Sequence, residues 1–372
     1  EVSRLNTEKN KERDKVMRDV YQKIQQELPG LTLKKARIFF EKVQHVTKQH
    51  YPNDTSFEYV IFELKNQCAY LQEIIPLFEN DKEATEEMAK ADEYLVRDIH
   101  NILENGVMDE NPRPKYADGT PAHTCFVTHV VRQYDLSKGE FPICTLRPIA
   151  CKSAIKEMMW IFQDQSNDLS LLREKYGIKV WDAWESKDMP GTIGKRYGYT
   201  VSHYDLLNKR VLEDIKKDPY GRYHIMNLWQ EQDMAESDGL KPCAYETIFT
   251  VRGRYLDMVL NQRSGDMLVA SGAGHWNEVQ YAALLMMVAR DTGYEPGKFT
   301  HMVINEQIYD RHLDQAKVLL DRAEEMKRES IDCKPCMLLN PEKKNFYDIT
   351  IEDFSLTNYA ARKPQLSFEL GV

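Results

Sequence analysis

The chain has 372 residues, 42% of them hydrophobic and 29% charged, a composition typical of a soluble globular protein long enough for two domains. Its formal net charge of −9 argues against a broad nucleic-acid-binding face, so nucleic acid is not an expected partner. The longest apolar run, AALLMMVA, is far shorter than the roughly 20 residues of a membrane-spanning helix, and seven scattered cysteines without a signal-like N-terminus predict a reducing, cytoplasmic location.

The first 90 residues predict helices only. Apolar residues recur at helical spacing over residues 16–28 and 33–46, with breaks at Pro29-Gly30 and at residues 51–54. The acidic stretch over residues 79–106 predicts a long helix that ends at a glycine, which favours a domain boundary near residue 90. We therefore expect an all-helical N-terminal extension over residues 1–90 and a second domain over residues 91–372.

Beyond residue 106 strand and helix patterns mix. HTCFVTHVVRQYDL, YETIFTV and RYLDMVLNQ predict strands, whereas SAIKEMMWIFQ and EVQYAALLMMVARDTG predict helices. This mixture indicates the α+β class. The chain has no GxGxxG or GxxxxGK[ST] loop, so neither a Rossmann nor a P-loop fold is predicted.

The stretch GLKPCAYET places Cys243 at the start of a predicted hairpin whose turn centres on Gly253. Antiparallel pairing about that glycine sets Cys243 opposite Arg263, and cross-strand Cβ atoms lie roughly 5 Å apart. A guanidinium at that distance favours the thiolate and makes the cysteine reactive. A slip of one residue would turn the arginine to the other face, so an ordinary hairpin with a small buried cysteine is the alternative.

The end of the second hairpin strand carries a compact polar set. Arg263, Ser264 and Asp266 in NQRSGDM supply a guanidinium, a hydroxyl and a carboxylate, which can bind an anion and a ring that forms hydrogen bonds. Asn277 follows at the start of a predicted helix, where its simplest reading is a helix cap. These residues predict a polar ligand site beside the thiol.

From residue 91 to 372 the chain resembles the thymidylate synthase family. The similar blocks occur in family order and include FPICTLRPIACKSAIKEMMWIFQDQSND, VWDAWE, GTIGKRYGY, DPYGRYHIMNLW, LKPCAYET, LNQRSGDM, HWNEVQY, QIYDRHLDQ and NPEKKNFYDITIEDF. The resemblance implies the family's α+β fold, a mixed β-sheet packed with helices, and a homodimer formed through that sheet.

The resemblance also implies the reaction. It is one-carbon transfer from 5,10-methylenetetrahydrofolate to C5 of dUMP, giving dTMP and dihydrofolate without a metal. Cys243 resembles the nucleophile that adds to C6, Glu157 the glutamate that manages proton transfers, and Tyr197 the tyrosine that supports water at C5. Asn277 resembles the amide that donates to O4 and accepts from N3–H, and Asp266 the carboxylate that binds the pterin.

Binding residues follow from the same resemblance. The predicted dUMP-binding residues are Arg113 on a mobile loop, Arg222 from a second subunit, Arg263, Ser264, Asn277, Gln307 and Tyr309. The predicted folate-binding residues are Trp181, Trp184, Asp266 and the terminal Val372. Two positions depart from the family: Tyr223 follows Arg222 where a second arginine is frequent, and Gln307 replaces a histidine.

Two other functions stay open from the sequence. A dUMP hydroxymethylase shares every early step and adds water in place of the hydride. The helical extension, the longer LVASGAGHW loop and Cys151 favour it, whereas Trp181 favours methylation because it would shield the reacting carbon from water. A catalytically silent nucleotide-binding or interaction protein, with the N-terminal helices as its working part, is the third alternative. The presence of Cys243, Glu157, Arg263 and Asn277 argues against it.

Other cysteine chemistry finds less support. CKPC (residues 333–336) has the spacing of a redox pair or of half a zinc site, but no second CxxC exists, so no metal is predicted. A zinc deaminase is excluded because no histidine is followed by glutamate two residues later. A cysteine protease would need an orienting histidine that the sequence does not locate.

Overall fold

The computed structural model of the chain describes residues 88–329 and 334–371. Its helices are α1 (Lys90–Asn105), α2 (Cys151–Phe162), α3 (Leu169–Tyr176), α4 (Gly198–His203), α5 (Asp214–Lys217), α6 (Glu231–Glu236), α7 (Trp276–Thr292) and α8 (Leu313–Arg328). Its strands are β1 (Val107–Met108), β2 (Thr124–Asp135), β3 (Ile225–Asn227), β4 (Ala244–Arg252), β5 (Tyr255–Gln262), β6 (Gly265–Asp266), β7 (Glu295–Tyr309), β8 (Cys336–Leu339) and β9 (Phe354–Thr357). The helices predicted within residues 1–87 lie outside the described residues.

The strands form one large mixed sheet and one small hairpin sheet. The large sheet has the order β1-β2-β7-β5-β4-β3, with β6 paired to the end of β7. The pairs β5–β7 and β6–β7 are parallel and the other pairs are antiparallel. Strands β8 and β9 pair separately. The predicted α+β class is confirmed.

Helix α7 is the centre of the core. Its sequence is apolar on nearly all sides, as expected of a helix enclosed by protein, and it packs against both α2 and the sheet. The helix ends at Gly293, whose φ of +83° is the left-handed conformation that glycine adopts without strain. The first turn of α7 therefore faces the ends of β5 and β6 on a rigid base.

The sequence patterns predicted most of the helices and strands, but not all of their first and last residues. The predicted strands in residues 123–136, 245–251 and 254–262 are present, as are helices α2 and α7. The helix predicted over residues 79–106 ends before Gly106 as expected, but its start is wrong, because Ala89 is extended and α1 begins at Lys90. Strand β7 was not predicted, since its buried face carries His301 and Glu306 and so breaks the hydrophobic alternation.

Candidate active site

The β4–β5 hairpin brings the predicted nucleophile and its arginine together. Its turn is Gly253-Arg254, and Arg252 pairs with Tyr255, so the register centred on Gly253 is wrong by one residue over most of the hairpin. A β-bulge between Ala244 and Glu246 shifts the pairing back at the open end. The Arg263 amide therefore donates to the Cys243 carbonyl at 2.9 Å, and the two residues lie opposite each other as predicted.

The guanidinium of Arg263 is held beside the sulfur. Its Nη2 lies 3.7 Å from Cys243 Sγ, while the same side chain donates to the carbonyls of Pro242 at 3.0 Å and Lys241 at 2.9 Å. The guanidinium also lies over the Trp229 ring, 5.5 Å from its centroid. The positive charge is therefore fixed at the thiol by the loop that precedes β4.

Burial and charge act on the thiol in opposite directions. Burial raises the pKa of Cys243, while the charges of Arg263 and Arg113 lower it, and burial outweighs them. Arg263 thus favours the thiolate as expected, but burial has the larger effect on the pKa. The desolvated thiol must lose its proton as it reacts, with two cations nearby to stabilise the thiolate.

Tyr197 supports the thiol from the other side. Its hydroxyl accepts a hydrogen bond from the Cys243 amide at 3.2 Å, and burial raises its pKa well above the usual range, so the hydroxyl keeps its proton. The backbone of Tyr197 has φ +46°, a strained conformation for a residue with a side chain. Strain of this kind persists where surrounding contacts fix the residue. Here the Trp181 ring packs on the Tyr197 ring, with 5.3 Å between their centroids.

Glu157 on α2 is enclosed at the same site. Trp276 Nε1 and Gln280 Nε2 each donate to its carboxyl at 3.0 Å. Burial raises the pKa of Glu157 to about 7, although these hydrogen bonds lower it. A carboxyl that titrates near neutrality suits proton transfer in either direction.

The half-buried Asn277 lies in the first turn of α7, joined to Glu157 through a chain of amides. Its Oδ1 accepts from Ser271 Oγ at 2.9 Å and from Gln262 Nε2 at 3.3 Å. Its Nδ2 donates to Gln280 at 3.2 Å, which in turn donates to Glu157. Sequence reasoning did not single out Ser271, Gln262 or Gln280, because buried amides and hydroxyls carry no spacing signal.

An aromatic wall stands next to the carboxyl. Trp181 is buried, and its ring meets Trp160 at 6.4 Å and Trp184 at 5.8 Å between centroids. The Trp181 indole N–H is buried and acts on the Glu157 carboxyl, whose pKa it lowers. The wall offers flat apolar surface, which suits a flat heteroaromatic ligand.

The predicted nucleotide and pterin residues meet at the ends of β6 and β7. Asp266 pairs in register with Gln307, and Tyr309 ends β7. Burial raises the pKa of Asp266 to about 7. The charge of Arg113 lowers the pKa of both Cys243 and Tyr309, although burial raises both overall, so the arginine lies near the two groups.

The C-terminal segment closes one side of this region. Gly371 packs against Tyr309 and Ala122, whereas Val372 lies outside the described residues. Arg311, which the sequence analysis missed, donates to Glu369 at 2.8 and 3.0 Å and to Asp118 at 2.8 Å. One guanidinium therefore joins the tail to the loop that carries Arg113.

Three predicted features remain, which are Arg222, Ser264 and the CKPC segment. Within the described residues only Ser264 contacts this group, through Gln262. Arg222 is exposed in the segment before β3, and no recorded contact joins it to the site within the described part of the chain. Ser264 is half-buried, and its carbonyl accepts from Gln262 at 3.0 Å. Of the CKPC segment, Cys336 begins β8 and Cys333 lies outside the described residues.

Neither a metal cluster nor a membrane span is found in the described residues. Across residues 88–329 and 334–371, no group of three or more histidine, cysteine, aspartate or glutamate side chains could hold a metal ion. Over the same ranges, the helices are too short or too polar to cross a bilayer.

Comparisons with known proteins agree with one another. The thymidylate synthase family model matches residues 93–372. Thymidylate synthases of Lactococcus lactis and Streptococcus pneumoniae are 50% and 49% identical over 291 and 290 residues, covering 77% of this chain and all of each relative. The solved structure of thermostable thymidylate synthase A from Bacillus subtilis is similar with a TM-score of 0.67 and 35% identity, covering 76% of this chain and 99% of that one.

Glu157→Gln tests the raised pKa of the buried carboxyl. Folding raises this pKa from 4.5 to about 7, so the folded wild type binds a proton that the unfolded chain releases. Its stabilisation is complete below about pH 4.5 and is lost as the pH rises to 7, at on the order of 1.4 kcal/mol per pH unit. Urea unfolding across this range should show that slope in the wild type relative to the glutamine variant, and a constant difference above about pH 7.

The matched control is Met158→Leu, a change of similar volume at the neighbouring buried position that keeps the carboxyl. It should retain the wild-type dependence on pH. Parallel curves for the wild type and Glu157→Gln would show that the carboxyl titrates alike in the folded and unfolded chain.

Proposed function

The chain belongs to the thymidylate synthase family, and on that premise we propose that it transfers the one-carbon unit of 5,10-methylenetetrahydrofolate to C5 of dUMP, giving dTMP and dihydrofolate. The observation that carries this proposal is the placement of Cys243 beside Arg263, with Glu157 and Asn277 joined by hydrogen bonds nearby. Relatives named thymidylate synthase align over their whole length at about half identity, which supports the same reaction.

The nucleotide is held by charge and by hydrogen bonds. Arg113, Arg263 and Ser264 bind the phosphate, for which guanidinium forks are the favoured partners. Tyr309 and Gln307, at the end of strand β7, bind the sugar hydroxyl. Gln307 both donates and accepts, so it serves where a histidine is usual in the family.

The base is activated by addition of the thiol. C5 of uracil is a poor nucleophile until Cys243 Sγ adds to C6, which sends electrons through C5 towards O4. The Asn277 amide donates to O4 and accepts from N3–H, so it stabilises the charge that develops there. Arg263 stabilises the thiolate at the moment of attack.

Proton transfers at C5 and O4 fall to Glu157, a buried carboxyl that titrates near neutrality. Glu157, with a pKa raised to about 7, exchanges protons through water in the site. Tyr197 keeps its hydroxyl proton and positions the Cys243 backbone by its hydrogen bond. Both groups are fixed before substrate arrives, so little reorganisation is needed during the reaction.

The folate co-substrate fits the aromatic wall. It supplies the one-carbon unit and the hydride. Trp181 and Trp184 offer flat apolar surface on which a ring can pack. Asp266 binds the pterin nitrogens, and Val372, which lies outside the described residues, is assigned to the same ligand.

A second copy of the chain completes the enzyme. The outer face of the sheet carries Ile225, Ile248 and Val259 in register on β3, β4 and β5, each half-exposed. An apolar stripe of this kind is buried in a twofold interface between identical sheets. Arg222 lies just before β3, so it reaches the phosphate site of the partner subunit.

The reactive thiol indicates the cellular location that the enzyme needs. Cys243 must remain a reduced thiol to act, which fits a cytoplasmic enzyme.

The alignments with relatives leave nearly a quarter of this chain unmatched. The division into an N-terminal extension over residues 1–90 and a catalytic domain over residues 91–372 stays a proposal, and no role is assigned to the extension.

Methylation is favoured over hydroxymethylation. The buried Trp181 excludes water from the face where the hydride arrives, and the relatives compared are named thymidylate synthases. A silent nucleotide-binding protein would not need the Glu157 carboxyl to be enclosed beside the thiol at a raised pKa.

Product analysis separates the two reactions. With dUMP and 5,10-methylenetetrahydrofolate, the full chain should form dTMP, detected by mass spectrometry, and an equal amount of dihydrofolate, detected by absorbance. The product 5-hydroxymethyl-dUMP with unoxidised folate would establish the hydroxymethylase. Cys243→Ala is the control and should give neither product while still binding dUMP.

Mixing two inactive variants tests the crossing arginine. Cys243→Ala and Arg222→Ala are each expected to be inactive as homodimers, whereas a 1:1 exchanged mixture should regain about a quarter of wild-type activity. Half of the dimers are then mixed, and each has one site with an intact cysteine and the partner's intact arginine. The control mixture is Cys243→Ala with the double variant, which should stay inactive; no recovery in the first mixture would place the arginine in its own subunit's site.

A further inference from the structure

A buried ion cluster lies behind the active-site amides. Arg132 on β2 is fully buried and contacts Asp98 at 2.9 Å, Glu278 at 2.7 Å and Glu306 at 2.7 Å. Its Nη2 also donates to the Ser271 carbonyl at 2.7 Å. The cluster therefore joins α1, β2, β7 and the first turn of α7 with geometry that admits little movement.

His301 links this cluster to the active site. Its Nδ1 lies 3.2 Å from the donor Arg132 Nη2 and 2.9 Å from Glu278 Oε1, and its Nε2 lies 3.0 Å from Gln262 Oε1. The ring is fully buried and stacks on Phe299 at 6.3 Å between centroids. Its two nitrogens thus connect a carboxylate of the cluster with an amide at the end of β5.

The neighbours of Gln262 fix which way its amide points. Its Nε2 donates to the Ser264 carbonyl at 3.0 Å, and a carbonyl only accepts. Its Oε1 therefore faces His301, whose Nε2 must carry a proton to donate to it. The same Gln262 Nε2 also faces Ser271 Oγ at 2.6 Å and Asn277 Oδ1 at 3.3 Å.

The orientation passes on to Asn277. Because Gln262 Nε2 and Ser271 Oγ both donate to Asn277 Oδ1, the Asn277 Nδ2 must point towards Gln280. An amide in one orientation matches uracil, which offers O4 as an acceptor and N3–H as a donor. The same amide turned by half a rotation matches cytosine, whose amino group donates and whose N3 accepts.

We propose that His301, held by the Arg132–Glu278 pair, is a positioning residue that fixes the Asn277 amide through Gln262 and so selects uracil over cytosine nucleotides. This inference rests on the proposed function, since it assumes that Asn277 faces the pyrimidine edge. The discrimination then originates in a histidine that does not touch the base.

Two substitutions of His301 isolate the donor to Gln262. A glutamine side chain reaches the position of the imidazole Nε2, so His301→Gln can still donate to Gln262. An asparagine side chain ends near the position of Nδ1, so His301→Asn can keep the contacts with Arg132 and Glu278 but does not reach Gln262. Both variants lose the ring, which makes them a matched pair for packing.

The readout is the ratio of dissociation constants for dCMP and dUMP, measured by calorimetry on the full chain without folate. His301→Asn should reduce the wild-type ratio by about tenfold, the value of one hydrogen bond, and His301→Gln should stay within about threefold of the wild type. Equal ratios in all three proteins, or equal losses in both variants, would overturn the inference. Thermal unfolding checks that each variant is folded.

A third variant keeps the test available if a His301 variant does not fold. In Gln262→Glu the buried carboxylate only accepts, so Asn277 must turn its Nδ2 towards it. The preference for dUMP should fall by at least about tenfold, and an unchanged ratio would overturn the inference.

Failure of the inference is distinct from failure of the proposed function. A wild-type chain that binds neither nucleotide and releases no tritium from C5-labelled dUMP would remove the function and the inference together. A wild type that is active and selective, with variants that keep its selectivity, would remove only the role of His301.

Discussion

The site depends on one irregularity in one hairpin. Without the bulge between Ala244 and Glu246, the turn at Gly253-Arg254 would pair the strands one residue out of step, and Arg263 would face away from Cys243. With it, the carbonyl of Cys243 accepts from the Arg263 amide and the guanidinium reaches the sulfur. A local backbone feature thus decides whether the thiol has a cation beside it, and the whole chemistry follows from that contact.

Burial around this contact raises pKa values, which disfavours the Cys243 thiolate but favours proton transfer by the carboxyls. The enclosure that lets the aromatic wall exclude water also raises the pKa of Cys243, Glu157 and Asp266. Carboxyls with a pKa near 7 can donate or accept protons at neutral pH, so the same desolvation that disfavours the thiolate prepares the carboxyls for proton transfer. The charges of Arg263 and Arg113 oppose the effect at the sulfur, and the charge of Arg113 also opposes it at Tyr309.

Periodicity predicted the helices and strands whose buried faces are apolar, such as α2, α7 and β4, and the resemblance predicted the family. The pairing of Cys243 with Arg263 was predicted through two errors that cancel, since neither the two-residue turn nor the bulge has a clear sequence signal. Strand β7 and the amide chain through Gln262 and Gln280 were missed because buried polar residues break the alternation on which such reasoning relies. The site residues themselves were found by motif, and their roles stay predictions.

The most direct test of the central claim is to trap the thiol adduct with 5-fluoro-dUMP. Fluorine at C5 cannot leave as a proton does, so a reaction that begins with sulfur addition at C6 should stall with the nucleotide covalently bound. Intact-mass measurement with 5,10-methylenetetrahydrofolate present, followed by peptide mapping, should place the nucleotide and the folate together on the peptide that contains Cys243. An adduct on another cysteine, or nucleotide binding without any adduct, would contradict the account.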